Sequence, residues 1–393
     1  MKYIIGIIGL VIVLVLAWVG SSDKKNIKYK PIITMLVLQF ILGFVILNTE
    51  IGNFLVGGIV NGFQVILNCA GEGVNFVFGG LVNDNQNTFF ISVLLPIIFI
   101  SALIGILQYI KILPIIVKYI GKALSKVNGM GELESYNAVA SAILGQSEVF
   151  ISVKKQLGLL PKHRLYTLCA SAMSTVSMSV VGSYMVLLQP RYVVAALVLN
   201  LFGGFIITSV INPYTVTEEE DILVVHEKSQ QTFFEVLSEY IMDGFKVAIT
   251  VGAMLVGFVA IITMINTVFK MIFGIGFQDM LGYVFSPFAF FMGIPLNEAI
   301  KAASVMATKL VSNEFVAMNL LANGSIQLST RATAIVSTFL VSFANFSSIG
   351  IISGAVKALN EDQANVVARF GLKLLYGATL VSLLTGTIVG LII

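Results

Sequence analysis

Two glutamates in this sequence lie inside strongly apolar stretches, where a carboxylate is costly to place. Glu148 falls within residues 142–151 and Glu314 within residues 310–318. A charged side chain at membrane depth costs a few kcal/mol, so it persists where it faces a partner, water or a ligand. Residues that suit a turn inside the bilayer come directly before each acid: Gly145, Gln146 and Ser147 before the first, Ser312 and Asn313 before the second. We therefore predict that both acids line a ligand-binding chamber within the membrane.

The composition also indicates a membrane protein. The chain has 393 residues, of which 57% are hydrophobic and only 11% are charged, whereas a soluble protein carries about 25% charged residues. The net charge of +3 is too small to indicate a nucleic-acid partner. Cys69 and Cys169 lack metal-ligand spacing and are expected to be buried apolar side chains. Neither metal ligands nor a nucleophile–base pair stands out, so the sequence predicts no cofactor and no enzymatic activity.

Eight segments are apolar and long enough to cross the bilayer, which takes about 20 helical residues. They are residues 3–20, 32–48, 89–110, 165–189, 192–212, 238–268, 332–356 and 366–392. Four further stretches are apolar but too short, too polar or too interrupted for ordinary spans: residues 53–82, 107–127, 132–157 and 285–323. Together these segments predict an all-α, polytopic membrane protein with eight transmembrane helices.

Lysine and arginine in the short loops predict the orientation, because cytoplasmic loops carry an excess of both. One basic group follows the first span and another precedes the fourth: Lys24, Lys25, Lys28 and Lys30, then Lys154, Lys155, Lys162 and Arg164. With both groups in the cytoplasm, the N-terminus lies outside and, after eight spans, so does the C-terminus. The acidic loop at residues 218–221 is then also cytoplasmic.

The segment 107–127 is predicted to be an amphipathic helix on the cytoplasmic surface of the membrane. Spacings of seven, four and four residues place its lysines on one helical face: Lys111, Lys118, Lys122 and Lys126. The alternative is that this segment is the basic end of the third span.

Two of the irregular stretches are predicted to be re-entrant helical hairpins. Residues 135–153 carry no charge except Glu148 and break at Gly145-Gln146. Two half-helices of about ten residues reach about 15 Å each, which is half of the bilayer. Residues 296–323 divide in the same way at Ser312-Asn313, but enter from the opposite side.

A span with a polar centre follows each hairpin and completes a repeat. The polar residues lie at 174–179 in the first such span and at 342–348 in the second, where they can support a locally unwound helix. The two hairpins open to opposite sides, so the repeats are inverted. Inverted repeats whose broken helices meet at the midplane are typical of secondary transporters.

Three motifs in these segments resemble those of the concentrative nucleoside transporter family. They are Gly145-Gln146-Ser147-Glu148, Asn313-Glu314-Phe315-Val316-Ala317 and Phe343-Ala344-Asn345-Phe346-Ser347-Ser348-Ile349-Gly350. Their order and the segments between them extend the resemblance over essentially the whole chain, and bacterial nucleoside permeases look most similar. The resemblance implies an ion-coupled nucleoside importer in the bacterial cytoplasmic membrane.

The resemblance further implies a homotrimer in which each subunit moves a transport domain past a scaffold. The scaffold would comprise residues 1–106, with the first three spans and a helix on the outer side, and residues 232–270. The interfacial helix at 107–127 and the two hairpin repeats at 128–213 and 285–393 would move.

The resemblance also assigns the substrate site, and the chemistry of a nucleoside suits that assignment. The implied contacts to the nucleobase are Gln146, Ser147 and Glu148, directly or through water, with Val180 packed on the base; those to the ribose are Glu314, Asn345 and Ser348, with Phe343 lining the pocket. An amide, a hydroxyl and a carboxylate can read a pyrimidine edge, so we predict a preference for pyrimidine nucleosides. A carboxylate that accepts from ribose hydroxyls makes charge-assisted hydrogen bonds.

The coupling ion is predicted to be a proton. Sodium-coupled members of the family have Asn and Ser where this chain has Ser141 and Thr175, beside Leu144 and Val176. A hydroxyl is a poorer sodium ligand than an amide carbonyl, and a carboxylate in a low-dielectric cavity can carry a proton near neutral pH. Glu148 is the first candidate carrier and Glu314 the second. A sodium-coupled symporter and an uncoupled facilitator remain the alternatives for the function.

Both glutamates also have a structural alternative. Each acid could be a fixed carboxylate paired with a buried cation, and for Glu314 the nearby cations in sequence are Lys309 and Arg331. Asn345 and Ser348 could likewise bridge helices without touching a ligand, as polar side chains in membranes often do.

Overall fold

A computed structural model of the chain describes residues 2–79, 89–217, 220–221, 223 and 231–393, and these parts are all helical with connecting loops. The first half holds α1 (Lys2–Val19), α2 (Tyr29–Asn48), α3 (Glu50–Phe78), a π-helical turn (Phe90–Leu94), α4 (Pro96–Tyr109), α5 (Ile112–Asn128), α6 (Glu132–Leu144), α7 (Val149–Ser152), α8 (Lys154–Leu157), α9 (Lys162–Ser174), α10 (Met178–Leu187) and α11 (Pro190–Ile211). The second half holds α12 (Phe233–Phe273), α13 (Phe277–Phe291), α14 (Leu296–Val311), α15 (Glu314–Ala322), α16 (Thr330–Leu340), α17 (Phe346–Lys357) and α18 (Glu361–Ile392).

The described residues contain seven helical segments that are long and apolar enough to cross a membrane, or eight with the pair α13 and α14, which bends by 117°. Together with two helical hairpins and the short apolar helix α1, they confirm the predicted all-α, polytopic class. The interfacial segment forms α5, which buries Val117 and Gly121 and exposes Tyr119 and Ile120. It packs along α6, at the entry to the first hairpin.

Three sequence expectations need correction. Residues 53–78 are not interrupted: they belong to α3, a single helix of 29 residues, because a membrane helix tolerates glycines. Residues 80–82 lie outside the described residues. Lys111 has a φ of +63° and precedes α5, so it does not share the lysine face of that helix. Cys69 is exposed, because it lies on the open side of α3, while Cys169 is buried as expected.

The core is built around the broken spans and the helices that pack on them. The segments α9–α10, α11 and α18 are mostly buried, whereas α3 and α12 leave most of their surface open. Helix α11 packs on α2 and α18, α18 packs on α9, α16 and α17, and α12 packs on α4. The buried polar residues are concentrated in the same core, in the hairpins and broken spans.

Candidate functional site

The first hairpin breaks where the sequence predicts it. Helix α6 ends at Leu144, and Gly145 follows with a φ of +102°, a conformation that favours glycine. A Cβ atom at Gly145 would lie 2.8 Å from the Cβ atom of Ser177. The tip of the hairpin therefore lies against the break in the span formed by α9 and α10.

The entry to this hairpin is anchored by a buried ion pair. Arg164 at the start of α9 donates from Nε to Glu134 of α6 at 2.5 Å, and Tyr214 donates to the same carboxylate at 3.2 Å. Burial, and then the charge of Glu134, raise the pKa of Tyr214 well above its usual value, so its hydroxyl stays a donor. Asp221 accepts from the backbone N–H of Glu132 at 2.7 Å. Glu218 and Glu219 of the predicted acidic loop lie outside the described residues.

The second hairpin breaks at Ser312-Asn313, between α14 and α15. The Asn313 side chain accepts from the backbone N–H of Val316 at 3.0 Å, which caps the first turn of α15. Glu314 is the first residue of that helix and is only 4% exposed. The short helix thus presents a buried acid at its N-terminal end, where the helix dipole favours negative charge.

The two polar-centred spans are unwound in the middle, and their breaks touch each other. Helices α9 and α10 are separated by residues 175–177, and α16 and α17 by residues 341–345. The backbone N–H of Phe343 donates to the carbonyl of Thr175 at 3.2 Å. Asn345 accepts from the backbone N–H of Ser348 at 2.9 Å and so caps α17.

Glu314 joins the second hairpin to both broken spans. Tyr184 of α10 donates to one of its oxygens at 2.8 Å, and the Asn345 amide donates to the other at 3.0 Å. Lys309, one of the two cations of the structural alternative, interacts with Glu314 electrostatically, but the hydrogen bonds of both cations go to other groups. Lys309 donates to the Phe339 carbonyl and to serine hydroxyls, while Arg331 donates to three backbone carbonyls. The acid is held by neutral donors.

Two polar atoms of the predicted site are buried without a hydrogen-bond partner. They are the Oε1 atom of Gln146, whose residue is 8% exposed, and the Oγ atom of Ser348, whose residue is fully buried. Buried polar groups are almost always paired, so each such exception points to a missing partner. A polar ligand held between the hairpin tips would supply one.

The other predicted residues occupy the same region with different exposure. Val180 is 3% exposed in the first turn of α10 and Phe343 is 9% exposed in the second break. Ser147 is exposed, and Glu148 is half-buried and close enough to Tyr240 of α12 to interact with it electrostatically. The tip of the first hairpin therefore reaches the first break through Gly145, whereas Glu314 reaches both broken spans with its own side chain, and of the two acids only Glu314 is enclosed.

Ser141 and Thr175 stand where sodium-coupled members of the family have Asn and Ser, and both hydroxyls donate to backbone carbonyls of their own helices. Ser141 donates to the Asn137 carbonyl at 2.7 Å, and Thr175 donates to the Ser171 carbonyl at 3.0 Å. Leu144 is half-buried and Val176 is fully buried. Across the part of the chain that the structure describes, His, Cys, Asp and Glu side chains form no cluster that could hold a metal ion.

Sequence reasoning did not identify Tyr184, although it donates to Glu314. It lies four residues after Val180, so both side chains share one face of α10. That spacing was the available signal, but Tyr184 is one of 12 tyrosines in the chain and nothing else marks it.

Three family descriptions match the chain in succession. "Na⁺ dependent nucleoside transporter N-terminus" matches residues 8–81, "Nucleoside recognition" matches residues 90–191, and "Na⁺ dependent nucleoside transporter C-terminus" matches residues 192–390. The purine nucleoside transport protein NupG of Bacillus subtilis is 36% identical over the whole of both chains. This chain belongs to the concentrative nucleoside transporter family. The nucleoside permease NupC of Helicobacter pylori is 30% identical, over 98% of this chain and 97% of its own.

Solved structures of a concentrative nucleoside transporter, CNTnw, have the same fold. Its inward-facing, substrate-bound state matches with a TM-score of 0.94 at 28% identity, over 100% of this chain and 99% of that one. A variant in an outward-facing state also matches with a TM-score of 0.94, at 29% identity. The protein is therefore a multi-pass membrane transporter of nucleosides and not an enzyme.

Proposed function

We propose that this protein is a proton-coupled importer of nucleosides that binds its substrate between the two hairpin tips and the two breaks. The observation that carries the site is Glu314, a buried acid with neutral donors on both oxygens. The unpaired Ser348 hydroxyl, in the first turn of α17 that Asn345 caps, and the unpaired Gln146 carbonyl are the groups left for a ligand.

The ribose half of the proposed site is formed by Glu314, Asn345 and Ser348. A carboxylate can accept from vicinal hydroxyls in charge-assisted bonds, while the serine hydroxyl can donate to or accept from the sugar. Because these groups are buried, a ligand that lacks a matching hydroxyl leaves one of them unpaired, at a cost of about 1–3 kcal/mol. Phe343 closes this part of the pocket.

The base half of the proposed site is formed by Gln146, Ser147 and Glu148, with Val180 packed on the ring. This donor and acceptor set is the basis of the predicted preference for pyrimidine nucleosides. The rival preference is for purine nucleosides, and it is favoured by the similarity to a protein named as a purine nucleoside transporter.

Proton coupling is favoured over sodium coupling by the hydrogen bonds of the Ser141 and Thr175 hydroxyls. Both donate to carbonyls of their own helices, and neither supplies the amide oxygen of sodium-coupled relatives. Glu148 is the first candidate carrier, since it is half-buried at the hairpin tip and within reach of water. The family descriptions name sodium, so a sodium-coupled symporter is the rival.

Transport is proposed to proceed by movement of the hairpin-bearing body past a scaffold. The sequence-based division assigns residues 1–106 and 232–270 to the scaffold and 107–127, 128–213 and 285–393 to the moving part. The packing favours a smaller scaffold. Gln39 of α2 donates to the Leu199 carbonyl of α11 at 2.7 Å, and Tyr376 of α18 donates to the Leu16 carbonyl of α1 at 2.7 Å. Those two hydrogen bonds would have to break if α1 and α2 stayed behind.

The proposed setting is a homotrimer in the bacterial cytoplasmic membrane with both termini outside. The basic residues after α1 support that orientation, and Lys24 lies 4.0 Å from the ring centre of Trp18, at the end of that helix. Open apolar surface on α3 and α12 supports burial against lipid and against other copies of the chain.

One uptake experiment tests both the identity of the coupling ion and the preference for pyrimidine over purine nucleosides. Radiolabelled uridine is offered to vesicles containing the purified protein, with proton and sodium gradients imposed separately and with unlabelled nucleosides as competitors. We expect accumulation without sodium that rises as the outer pH falls, and stronger competition by cytidine than by adenosine. A protonophore should abolish accumulation, because coupling to the proton gradient drives it.

Other results would assign another function. Strict dependence on sodium would establish the sodium-coupled symporter. Uptake that equilibrates but never exceeds the outer concentration would establish the facilitator. Stronger competition by adenosine and guanosine would overturn the pyrimidine preference and leave nucleoside transport intact.

A further inference from the structure

Lys309 lies near the end of α14, in the second hairpin, and has no exposed surface. Among the residues that the structure describes, it is the one lysine that is completely buried. A buried ammonium is expensive to maintain, and in membrane segments such groups mark functional sites. The substrate site described above does not use this side chain directly, so its position needs its own explanation.

The ammonium group has as many acceptors as it has N–H bonds. It donates to the Phe339 carbonyl at 2.6 Å, to the Ser342 hydroxyl at 2.6 Å and to the Ser382 hydroxyl at 3.2 Å. The two hydroxyls also bond to each other at 2.9 Å. The ring of Phe339 lies with its centre 4.6 Å from the same nitrogen. All three N–H bonds of the ammonium are therefore satisfied, and the ring face adds a cation–π contact.

The acceptors come from the break in the second unwound span and from α18 beside it. Phe339 is in the last turn of α16, whose carbonyl end carries partial negative charge. Ser342 is in the break itself, 167 residues after Thr175, which occupies the corresponding break of the first repeat. In transporters with broken helices, carbonyls at such ends coordinate the coupling cation. Here the cation is covalently attached.

The Lys309 side chain also bonds to Ser342, which is next to residues of the proposed ribose site. One residue after Ser342, Phe343 bonds to the Thr175 carbonyl, and Asn345 bonds to Glu314. Glu314 itself follows Lys309 by five residues in the same hairpin. The ammonium thus ties the hairpin to the break at one end of the segment that carries Asn345.

We propose that the Lys309 ammonium is a built-in cation: it occupies a monovalent-cation site at the second break and positions Phe343 and Asn345 for the nucleoside. The inference rests on the proposed substrate site. It assigns Lys309 a positioning role and predicts that a free cation can replace the side chain when that side chain is removed.

Chemical rescue tests the proposal. Lys309→Ala leaves a cavity and removes three hydrogen bonds to a charged group, so uridine and adenosine uptake by vesicles should fall about tenfold or more. Methylammonium or ethylammonium should restore much of the uptake and tighten nucleoside binding to the purified variant. Lys309→Met fills the cavity with apolar atoms and should not respond. Lys301→Ala, at an exposed lysine on the same helix, should transport like the unmodified protein.

The outcomes separate this proposal from the transport function itself. Uptake by the unmodified protein tests transport, and rescue tests the built-in cation. Wild-type uptake by Lys309→Ala, or loss that no small cation restores, would overturn the proposal. If Lys309→Ala does not fold, Ser382→Ala decides: the loss of one acceptor should raise KM for both nucleosides with little effect on kcat, and an unchanged KM would be contrary to the positioning role.

Discussion

Glu314 keeps both carboxylate oxygens hydrogen-bonded although it is buried in a membrane protein. Tyr184 and Asn345 reach it from two different broken spans, so a single side chain joins three separate segments of backbone. Charge-assisted hydrogen bonds are about twice as strong as neutral ones. A ligand hydroxyl that enters this network binds to an acceptor that is already oriented.

Glu314→Gln is expected to reduce nucleoside uptake strongly while leaving the oligomer assembled. Glutamine presents one acceptor and one NH₂ group, so a donor faces the Tyr184 hydroxyl or the Asn345 amide. Because a hydrogen bond to a charged group contributes about 1.5–3 kcal/mol, uptake should fall by about 100-fold. Vesicle uptake measures the loss, and gel filtration in detergent checks assembly.

The matched control for that variant is Glu361→Gln, at an exposed acid whose side chain is 76% accessible. It should transport normally. Undiminished uptake by Glu314→Gln would show that this acid does not hold the ribose.

The breaks in the helices could be predicted from the sequence, and their mutual contacts could not. Glycine, serine and asparagine at hairpin centres disfavour continuous helix, so the turns at Gly145 and Ser312 were recognisable. The bond from the Phe343 N–H to the Thr175 carbonyl joins residues far apart in the chain, and no local pattern encodes it. Tyr184 was missed for the same reason.

At the scale of elements, the main question is whether α1 and α2 move with the transport domain or stay with the scaffold, because they pack against helices of the proposed moving body. A Cβ atom at Gly20, at the end of α1, would lie 2.7 Å from the ring of Tyr376 on α18. If α1 travels with α18, joining these two positions should leave transport intact. We therefore expect that a Gly20→Cys, Tyr376→Cys pair, bridged by a short bifunctional thiol reagent, still takes up nucleoside.

Two further cysteine pairs serve as controls for that cross-linking experiment. All pairs are placed in a variant that lacks the exposed Cys69, so that the reagent does not react there. Gly182 of α10 and Leu67 of α3 lie together, and bridging them should stop uptake because α3 belongs to the scaffold in either division. Bridging Gly105 of α4 and Tyr240 of α12 should have no effect. Loss of uptake in the Gly20 pair would return α1 to the scaffold.

Helix lengths were harder to predict than helix positions. The span expected at residues 238–268 is part of a helix of 41 residues, because its polar first turns also continue the helix. A Thr232 side chain and the Glu235 side chain form a capping box that sets its start. Apolar length alone does not reveal such extensions.

At the scale of the whole molecule, α3 and α12 expose far more apolar surface than the core helices. On α3, a run of glycines has no neighbouring atom within 4 Å of an added Cβ: Gly57, Gly58 and Gly62. Small residues at a helix surface allow close packing of helices within a membrane. This surface is the candidate contact between copies of the chain.

We expect native mass spectrometry in detergent to give a protein mass of three chains. Gly58→Leu should reduce the three-chain species if α3 lies in the interface, because the added side chain prevents close approach. Ile7→Trp, on an exposed face of α1, is the matched control and should not change the mass. A single-chain mass for the unmodified protein would contradict the trimer.

The length of α12 has a mechanical consequence. At 1.5 Å per residue, its 41 residues extend about 60 Å, roughly twice the 30 Å of hydrocarbon that it crosses. Such a rod either leans strongly or rises well above both surfaces. In both cases α12 is longer than one hairpin is deep, so a neighbouring body that moves as proposed would stay in contact with the same helix throughout its displacement.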